Sequence, residues 1–442
     1  MSVSSGAFRY SGYAIEPDRG LLTCRYRLGE RQFTELISFG RDGRWDVPEI
    51  GQAARLIFLL AGVSYYKTAA PPVIDLGQTP VTSTERAFLR SFYLDGLGEF
   101  SYRNGLDLSG LEFVGGTAAQ PASGPGPAEP AGRLLIPFGG GIDSIVTVEL
   151  MRGRGDAALF VMSRPGDRFP AIERPAAVTG LPVIRADREI DPQLLRSREL
   201  GFRNGHVPVT GILSAIAVMA GLLAGRDTVV MSNEWSASVA TLETGGRAVN
   251  HQYSKSAEFE HGFRQVLAGA LGGRISYFSA LRPFSELWVA RKFAGLAQYH
   301  STFRSCNRAF AVDPARRLDH WCGQCDKCCF IDLILAPFLP ATELASIFGG
   351  TEPLANPALA GRFQALLGTS AAARPFECVG DIGECQAAAV LATARPDRAG
   401  DTLLQTLAGQ FPAPSAATID ALLRPVGEHW IPDSYAAHDL LV

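Results

Sequence analysis

The sequence predicts an α/β protein: a doubly wound parallel sheet over residues 133–330, an α+β domain before it (1–113) and a helical C-terminal region after it (331–442). Three observations predict this. Strand-like apolar runs alternate with helical patterns from Leu134 to Leu296. A stretch rich in Pro, Gly, Ala and Ser, residues 114–132, separates that alternation from what precedes it. After Phe330 helical patterns are broken by Pro340, Gly349, Pro353 and Pro357.

Taken in order, Leu22–Leu28 and Phe33–Phe39 read as strands and Gly51–Leu60 as a helix. The segment 115–132 has no core-forming periodicity and reads as a linker. Leu134–Pro137 is a buried strand and a helix follows from Ser144. Strands are expected at Ala157–Ser163, Pro182–Ala186, Thr228–Ser232 and Ile275–Leu281, and a helix at Glu286–Leu296. No internal repeat is present. Ligands of doubly wound sheets bind beyond the carboxyl ends of the strands, where strand order reverses. The loop 139–144, the turn Met162-Ser163 and the corner Asn233-Glu234 are therefore expected in one crevice.

At 442 residues the chain has room for two or three domains, and its net charge of −3 argues against a general nucleic-acid binder. A small-molecule substrate is expected. Met1–Gly20 lacks the apolar centre of a secretory signal, which predicts a cytoplasmic protein. Val207–Gly225 is long enough, and free enough of charge, to span a membrane. Its Pro208, Thr210, Ser214 and glycines, and its place between strands, predict a buried core helix instead. Oligomeric state has no signature in the sequence.

Chemistry concentrates in three places. The first is Arg133–Glu149, RLLIPFGGGIDSIVTVE, where a strand runs through three glycines into a helix. Glycines let backbone N–H groups approach an anion, and the unpaired amides and dipole of a helix N-terminus favour negative charge. Gly139, Gly140, Gly141, Asp143 and Ser144 therefore read as a phosphate grip, and a mere tight turn is the bland reading. No lysine of the G-x-x-x-x-G-K-[ST] kind is present, so terminal phosphoryl transfer is not implied.

The second is Cys322-Gly-Gln-Cys325-Asp-Lys-Cys328, with Cys306 upstream. Four clustered thiols in a reducing compartment suit a tetrahedral zinc site, and a redox pair or packed thiols is the alternative. Cys329, Cys24, Cys378 and Cys385 read as packed or supporting residues. The third is Ser232–Glu260, the densest polar segment. It contains Asn233, Glu234, Arg247, Asn250, His251, Gln252, Tyr253, Lys255 and Ser256, offering a base, amides, a phenol, cations and hydroxyls together. His206 and His261 are weaker candidates.

Gly139-Gly-Gly-Ile-Asp-Ser144 resembles the S-G-G-x-D-S loop of the PP-loop ATP pyrophosphatases, with Gly139 in place of the first Ser. The Ser305-Cys306 and Cys322–Cys328 pattern is similar to that of the 7-cyano-7-deazaguanine synthases within that superfamily. A narrower resemblance covers most of the chain. The grip, Asn233–Ala237, Val249–Ser256 with Glu258–Glu260, the cysteine knuckle, Gly62–Lys67 and Pro375–Gly380 look like the UDP-N-acetylmuramoyl-L-alanyl-L-glutamate epimerases. That family shows Lys where Ile142 stands.

The resemblance implies an ATP-dependent epimerase of peptidoglycan precursor synthesis. It would adenylate a carboxylate, invert the terminal L-glutamate of a UDP-linked muramoyl dipeptide, and release AMP and pyrophosphate. ATP, Mg²⁺ and a structural Zn²⁺ are the implied cofactors, with no nucleic acid or membrane as partner. The implied roles are these: Gly139–Gly141, Asp143, Ser144, Met162 and Ser163 for ATP; His251, Lys255 and Tyr253 for proton transfer. Asn233, Glu234, Arg247, Asn250, Gln252 and Ser256 would bind substrate, and Cys306, Cys322, Cys325 and Cys328 the metal. Another PP-loop adenylating enzyme, or a non-catalytic nucleotide-binding module, are the rival readings.

Overall fold

Side chains along the strand after the linker alternate between two cores: Leu134 and Ile136 enter one and Leu135 the other. The structure is a computed structural model that describes residues 6–120, 131–244, 246–311, 313–370 and 374–436. Residues 121–130 of the expected linker thus lie outside the described residues.

The described strands are β1 (Phe8–Glu16), β2 (Leu21–Leu28), β3 (Arg31–Ser38), β4 (Val73–Asp75), β5 (Pro80–Val81), β6 (Glu112–Val114) and β7 (Thr117–Ala118). They continue with β8 (Arg133–Pro137), β9 (Asp156–Ser163), β10 (Val183–Glu189), β11 (Thr228–Met231), β12 (Leu242–Thr244), β13 (Arg247–Val249) and β14 (Ser276–Ser279). Ten of these form one sheet in the order β14-β11-β8-β9-β10-β3-β2-β1-β4-β6. From β14 to β10 every pairing is parallel. Strand order reverses between β8 and β11.

The sheet is mixed, where a parallel one was expected. The N-terminal meander β1–β3 is antiparallel and adds to the edge at β10, with Asp187↔Ser38 and Glu189↔Leu36 in register. A buried ion pair fastens that seam. Glu35 of β3 accepts from Arg188 Nε of β10 at 2.7 Å and from the Tyr65 hydroxyl at 2.8 Å, so no carboxylate oxygen is left unpaired.

Helices cover both faces. Ile142–Met151, Glu286–Ala294 and Asp326–Leu335 pack on one core, and Ile50–Ala61, Val209–Leu223 and Ala257–Leu271 on the other. The apolar stretch at 207–225 is mostly this second-face helix, buried from Ile212 to Leu223 apart from Leu213. Among the described residues no helix is long and apolar enough to cross a membrane.

Two helices are started by reciprocal caps. Thr82 and Glu85 form a reciprocal capping box before Ser83–Leu94, and Asp381 and Glu384 do the same before Ile382–Thr393. The second box matters beyond local structure, because it delivers Glu384 from the C-terminal region to the candidate site.

Candidate functional site

The glycine loop leaves β8 and enters the helix Ile142–Met151 two residues before the expected start, because Gly141 is extended (φ −86°, ψ 173°) and serves as its N-cap. Asp143 and Ser144 therefore stand in the first turn. Gly140 has φ +77°, and a Cβ there would meet the Ala171 carbonyl oxygen at 2.1 Å. Only glycine fits that position. The Gly140 carbonyl accepts from the Arg304 amide at 3.2 Å, so the segment leading to Cys306 braces the loop from behind.

In front of the loop lies a cavity of about 470 Å³, within the range of small-ligand sites. Gly139, Gly141, Asp143, Ser144, Met162, Asn233 and Lys255 line it, so the grip, the β9 turn and the β11 corner do share one crevice. Residues that the sequence reading did not select also line it: Ser232, Ser305, Lys327 and Cys378. The hydroxyls of Ser232 and Ser305 are buried without a partner, as is Asp143 Oδ1. Buried polar atoms left open around a cavity call for a polar partner, whether water, an ion or a ligand.

Asp143, Glu234 and Glu286 each offer a carboxylate oxygen, and these lie within 4.8 Å of one another. Both oxygens of Glu234 and Oε2 of Glu286 have no hydrogen-bond partner. Burial, then the charge of Glu234, pushes Asp143 up to about 6, and burial, then Asp143, lifts Glu286 well above the carboxylate range. Three converging carboxylates with unpartnered oxygens could hold a hard divalent cation. Lys255 faces them; burial works against its charge, but Cys378, Glu234, Asp143 and Glu286 outweigh it and hold the ammonium above its ordinary pKa.

A buried arginine sets this geometry. Arg282 pairs with Glu260 at 2.9 Å and donates to the carbonyls of Glu234 at 2.8 Å and Lys255 at 2.6 Å. It thereby ties the β11 corner to the loop carrying Lys255. Glu384 Oε1 accepts from Ser236 Oγ at 2.7 Å and from the Glu286 amide at 2.9 Å, linking the C-terminal region to the same corner.

The knuckle closes as expected. Cys306, Cys322, Cys325 and Cys328 bring their sulfurs together, with separations of 3.9 Å (Cys306–Cys325), 3.6 Å (Cys322–Cys328) and 3.4 Å (Cys325–Cys328). Four ligands about 2.3 Å from a tetrahedral zinc would stand about 3.8 Å apart, so this group could hold a metal. Gly323, at φ +65°, makes the turn between the first two thiols. Cys329 points into the apolar core instead.

The remaining candidates divide. His251 Nδ1 donates to Glu99 Oε2 at 2.5 Å, and its ring lies 4.2 Å from that of His206. Burial alone would lower His251, but Cys378 and Glu99 prevail and lift it to about 9. Burial, with the charge of His251, takes His206 down to about 4. Tyr253 packs in the second-face core near Phe259, where burial raises its pKa.

Ser256 caps the helix Ala257–Leu271 by accepting from the Phe259 amide. Asn250 holds the Ala237 carbonyl and the Gln252 amide, Gln252 keeps a buried unpaired Oε1, and Ser163 donates to Asp187 at 3.3 Å. The side chain of Arg247 lies outside the described residues. His261 sits against Gln265 and Trp430.

Lys327 was open to sequence reading, as a cation inside the knuckle. Glu99, Arg282 and Glu384 carry no local signal, because each joins the site from a distant segment.

Fold and site together define an α/β protein with a glycine-rich cradle at a helix N-terminus, a buried carboxylate cluster beneath it and a four-cysteine knuckle behind it. The chain belongs to the MurL family: the MurL N-terminal domain matches residues 2–280 and the MurL C-terminal domain residues 302–421. Among its relatives, the UDP-N-acetyl-alpha-D-muramoyl-L-alanyl-L-glutamate epimerase of Xanthomonas oryzae pv. oryzae is 38% identical over 440 residues, covering 96% of this chain and 95% of that protein. Proteins of the same name from Salinispora tropica and Micromonospora sp. are each 37% identical, covering 97% of this chain and 94% and 97% of their own lengths.

Proposed function

We propose that this protein epimerises the terminal L-glutamate of UDP-N-acetylmuramoyl-L-alanyl-L-glutamate to D-glutamate, an isomerase step in peptidoglycan precursor synthesis in the cytoplasm. The observation that carries the reading is near-full-length identity of 37–38% to three epimerases of that name. In the organisation we propose, residues 1–113 form an α+β unit, 114–132 a linker, 133–330 a doubly wound PP-loop unit and 331–442 a helical tail.

The reaction is ATP-dependent. A carboxylate Cα–H is very weakly acidic, because removing the proton places charge beside charge. Adenylation of the carboxylate cancels one charge, after which a base removes the proton and an acid returns one on the opposite face. Gly139–Gly141 and Ser144 bind the pyrophosphate portion of ATP, supported by the open loop and the unpaired hydroxyls of Ser232 and Ser305. Asp143, Glu234 and Glu286 would hold Mg²⁺, which when bound neutralises phosphate charge. The four cysteines of the knuckle would hold a structural Zn²⁺, which when bound would cross-link the wall carrying Ser305 and Lys327. Among the proton-transfer candidates, Lys255 is supported by its place at the cavity and His251 by its buried pairing with Glu99.

The test is incubation with ATP, Mg²⁺ and the UDP-muramoyl dipeptide in deuterated water. D-glutamate carrying deuterium at Cα, with AMP and pyrophosphate, is expected. Formation of ADP, or inversion without solvent deuterium, would refute the mechanism. AMP formation without D-glutamate would favour another adenylating enzyme, and no ATP turnover at all would favour a nucleotide-binding module.

A further inference from the structure

Cys378 lies in the loop before the helix Ile382–Thr393, where sequence alone makes it one more packed thiol. In the structure it is half-buried and lines the cavity with Asp143, Lys255 and Lys327. Its backbone is pinned, because the Lys327 ammonium donates to the Cys378 carbonyl and Arg374 donates to the Val379 carbonyl at 2.8 Å. The imidazole of His251 stands on the same side, its ring centroid 6.4 Å from that of Phe376 two residues before Cys378, and its charge acts on the Cys378 thiol.

That imidazole is held from its other side. His251 Nδ1 meets Glu99 Oε2 at 2.5 Å, and Arg103 Nε holds Glu99 Oε1 at 2.5 Å; only 12% of the His251 side chain and 6% of the Glu99 side chain are exposed. The order thiol, imidazole, carboxylate is the arrangement by which a protein activates a thiolate: the third group orients the ring that stabilises the sulfur anion. Three distant segments of chain supply it, from residues 99, 251 and 378.

Resting on the epimerase reading above, we propose that Cys378 is a catalytic residue whose thiolate exchanges the Cα proton on one face of the substrate glutamyl residue, with His251 as its ion-pair partner and Glu99 as a positioning residue. In one direction the Cα–H bond breaks and an S–H bond forms. The C–H electron pair moves into the adenylated carbonyl, and an acid on the opposite face supplies the proton of the new Cα–H bond. The thiol then releases its proton to solvent by way of His251, and nothing is oxidised or reduced.

The surrounding charges favour this assignment. The thiol faces His251, Lys255 and Lys327, with Asp143, Glu234 and Glu286 beyond Lys255. Burial would raise Cys378, yet Lys255 and His251 bring it down to about 7, where a base works at neutral pH.

Cys378→Ala and Cys378→Ser are tested with ATP, Mg²⁺ and the UDP-muramoyl dipeptide for ATP–pyrophosphate exchange, Cα deuterium and D-glutamate. We expect exchange to persist and epimerisation to fall about 10²–10⁴-fold. Glu99→Gln reads out the positioning role: the pH midpoint for iodoacetamide alkylation of Cys378 should rise from about 7 in the wild type towards that of an ordinary thiol, about 8.5. An unmoved midpoint would make Glu99 merely structural. Wild-type epimerisation rates in the Cys378 variants, or a thioester accumulating on Cys378, would overturn the assignment while leaving the epimerase reading intact.

Wild-type protein that forms no D-glutamate would overturn both. Should the variants fail to fold, alkylation of the wild type decides the matter. Modification of Cys378 must abolish epimerisation in proportion and spare exchange, and inactivation that does not track Cys378 overturns the proposal.

Discussion

Replacing Gly140 by alanine separates a phosphate cradle from an incidental turn. At φ +77° an L-residue is strained by about 1–2 kcal/mol. The new Cβ would stand 2.1 Å from the Ala171 carbonyl oxygen, where real contacts do not fall below 3.0 Å. The obstacle is backbone, not the end of a flexible side chain, so the loop itself must move by about 0.9 Å, and such overpacking adds about 1–3 kcal/mol. A shift of about 1 Å at a binding group costs on the order of 10²-fold in rate.

Gly140→Ala is therefore expected to melt at a lower temperature and to lose about 10²-fold in ATP–pyrophosphate exchange measured with the dipeptide. The control is Gly139→Ser, where a Cβ meets nothing within 4 Å. Its stability should lie within about 0.5 kcal/mol of the wild type. If Gly140→Ala exchanges pyrophosphate at the wild-type rate, the loop is not the phosphate grip. Equal melting temperatures for the two variants would refute the steric argument.

Further expectations concern the metal, the sheet seam and the His251 network. One zinc per chain is expected by elemental analysis; Cys325→Ser should lose it and weaken ATP binding through Ser305 and Lys327, while Cys329→Ser should keep it. Glu35→Ala leaves Arg188 buried without its partner and should cost about 3–5 kcal/mol in chemical denaturation; a loss below about 1 kcal/mol would mean the β3–β10 seam is not held by this pair. The folded-state pKa of His251, about 9, lies above the ordinary 6.5, so its contribution to stability is fully present below pH 6.5 and lost as pH rises through 9. The melting-temperature gap between wild type and His251→Gln should be wider at pH 6 than at pH 10, and a gap independent of pH would rule out this linkage.

Some of the protein is legible in the order of its residues. Short continuous apolar runs mark β8, β9 and β11 because a parallel strand covered on both faces buries consecutive residues. The cysteine knuckle is legible for a similar reason: three of its ligands lie within seven residues, so local turn geometry alone brings them together. The glycine loop, flanked by strand and helix, likewise declares itself. The family resemblance was also visible before any coordinate, since its motifs are contiguous strings.

What tertiary structure decided is which distant groups meet. Ser256 and Tyr253 belong to the same polar string as His251 and Lys255, yet one caps the helix Ala257–Leu271 and the other enters the core, because the tight turn Tyr253–Lys255 before that helix sends successive residues to different sides. The meander β1–β3 could have formed a sheet of its own; pairing with β10 and the Glu35–Arg188 bond joins it to the parallel strands. Glu99, His251 and Cys378 are separated by 152 residues and then by 127, and nothing local to any of them encodes the other two. Their meeting follows from the packing of whole elements, whose energy is spread over two cores rather than written into a short segment.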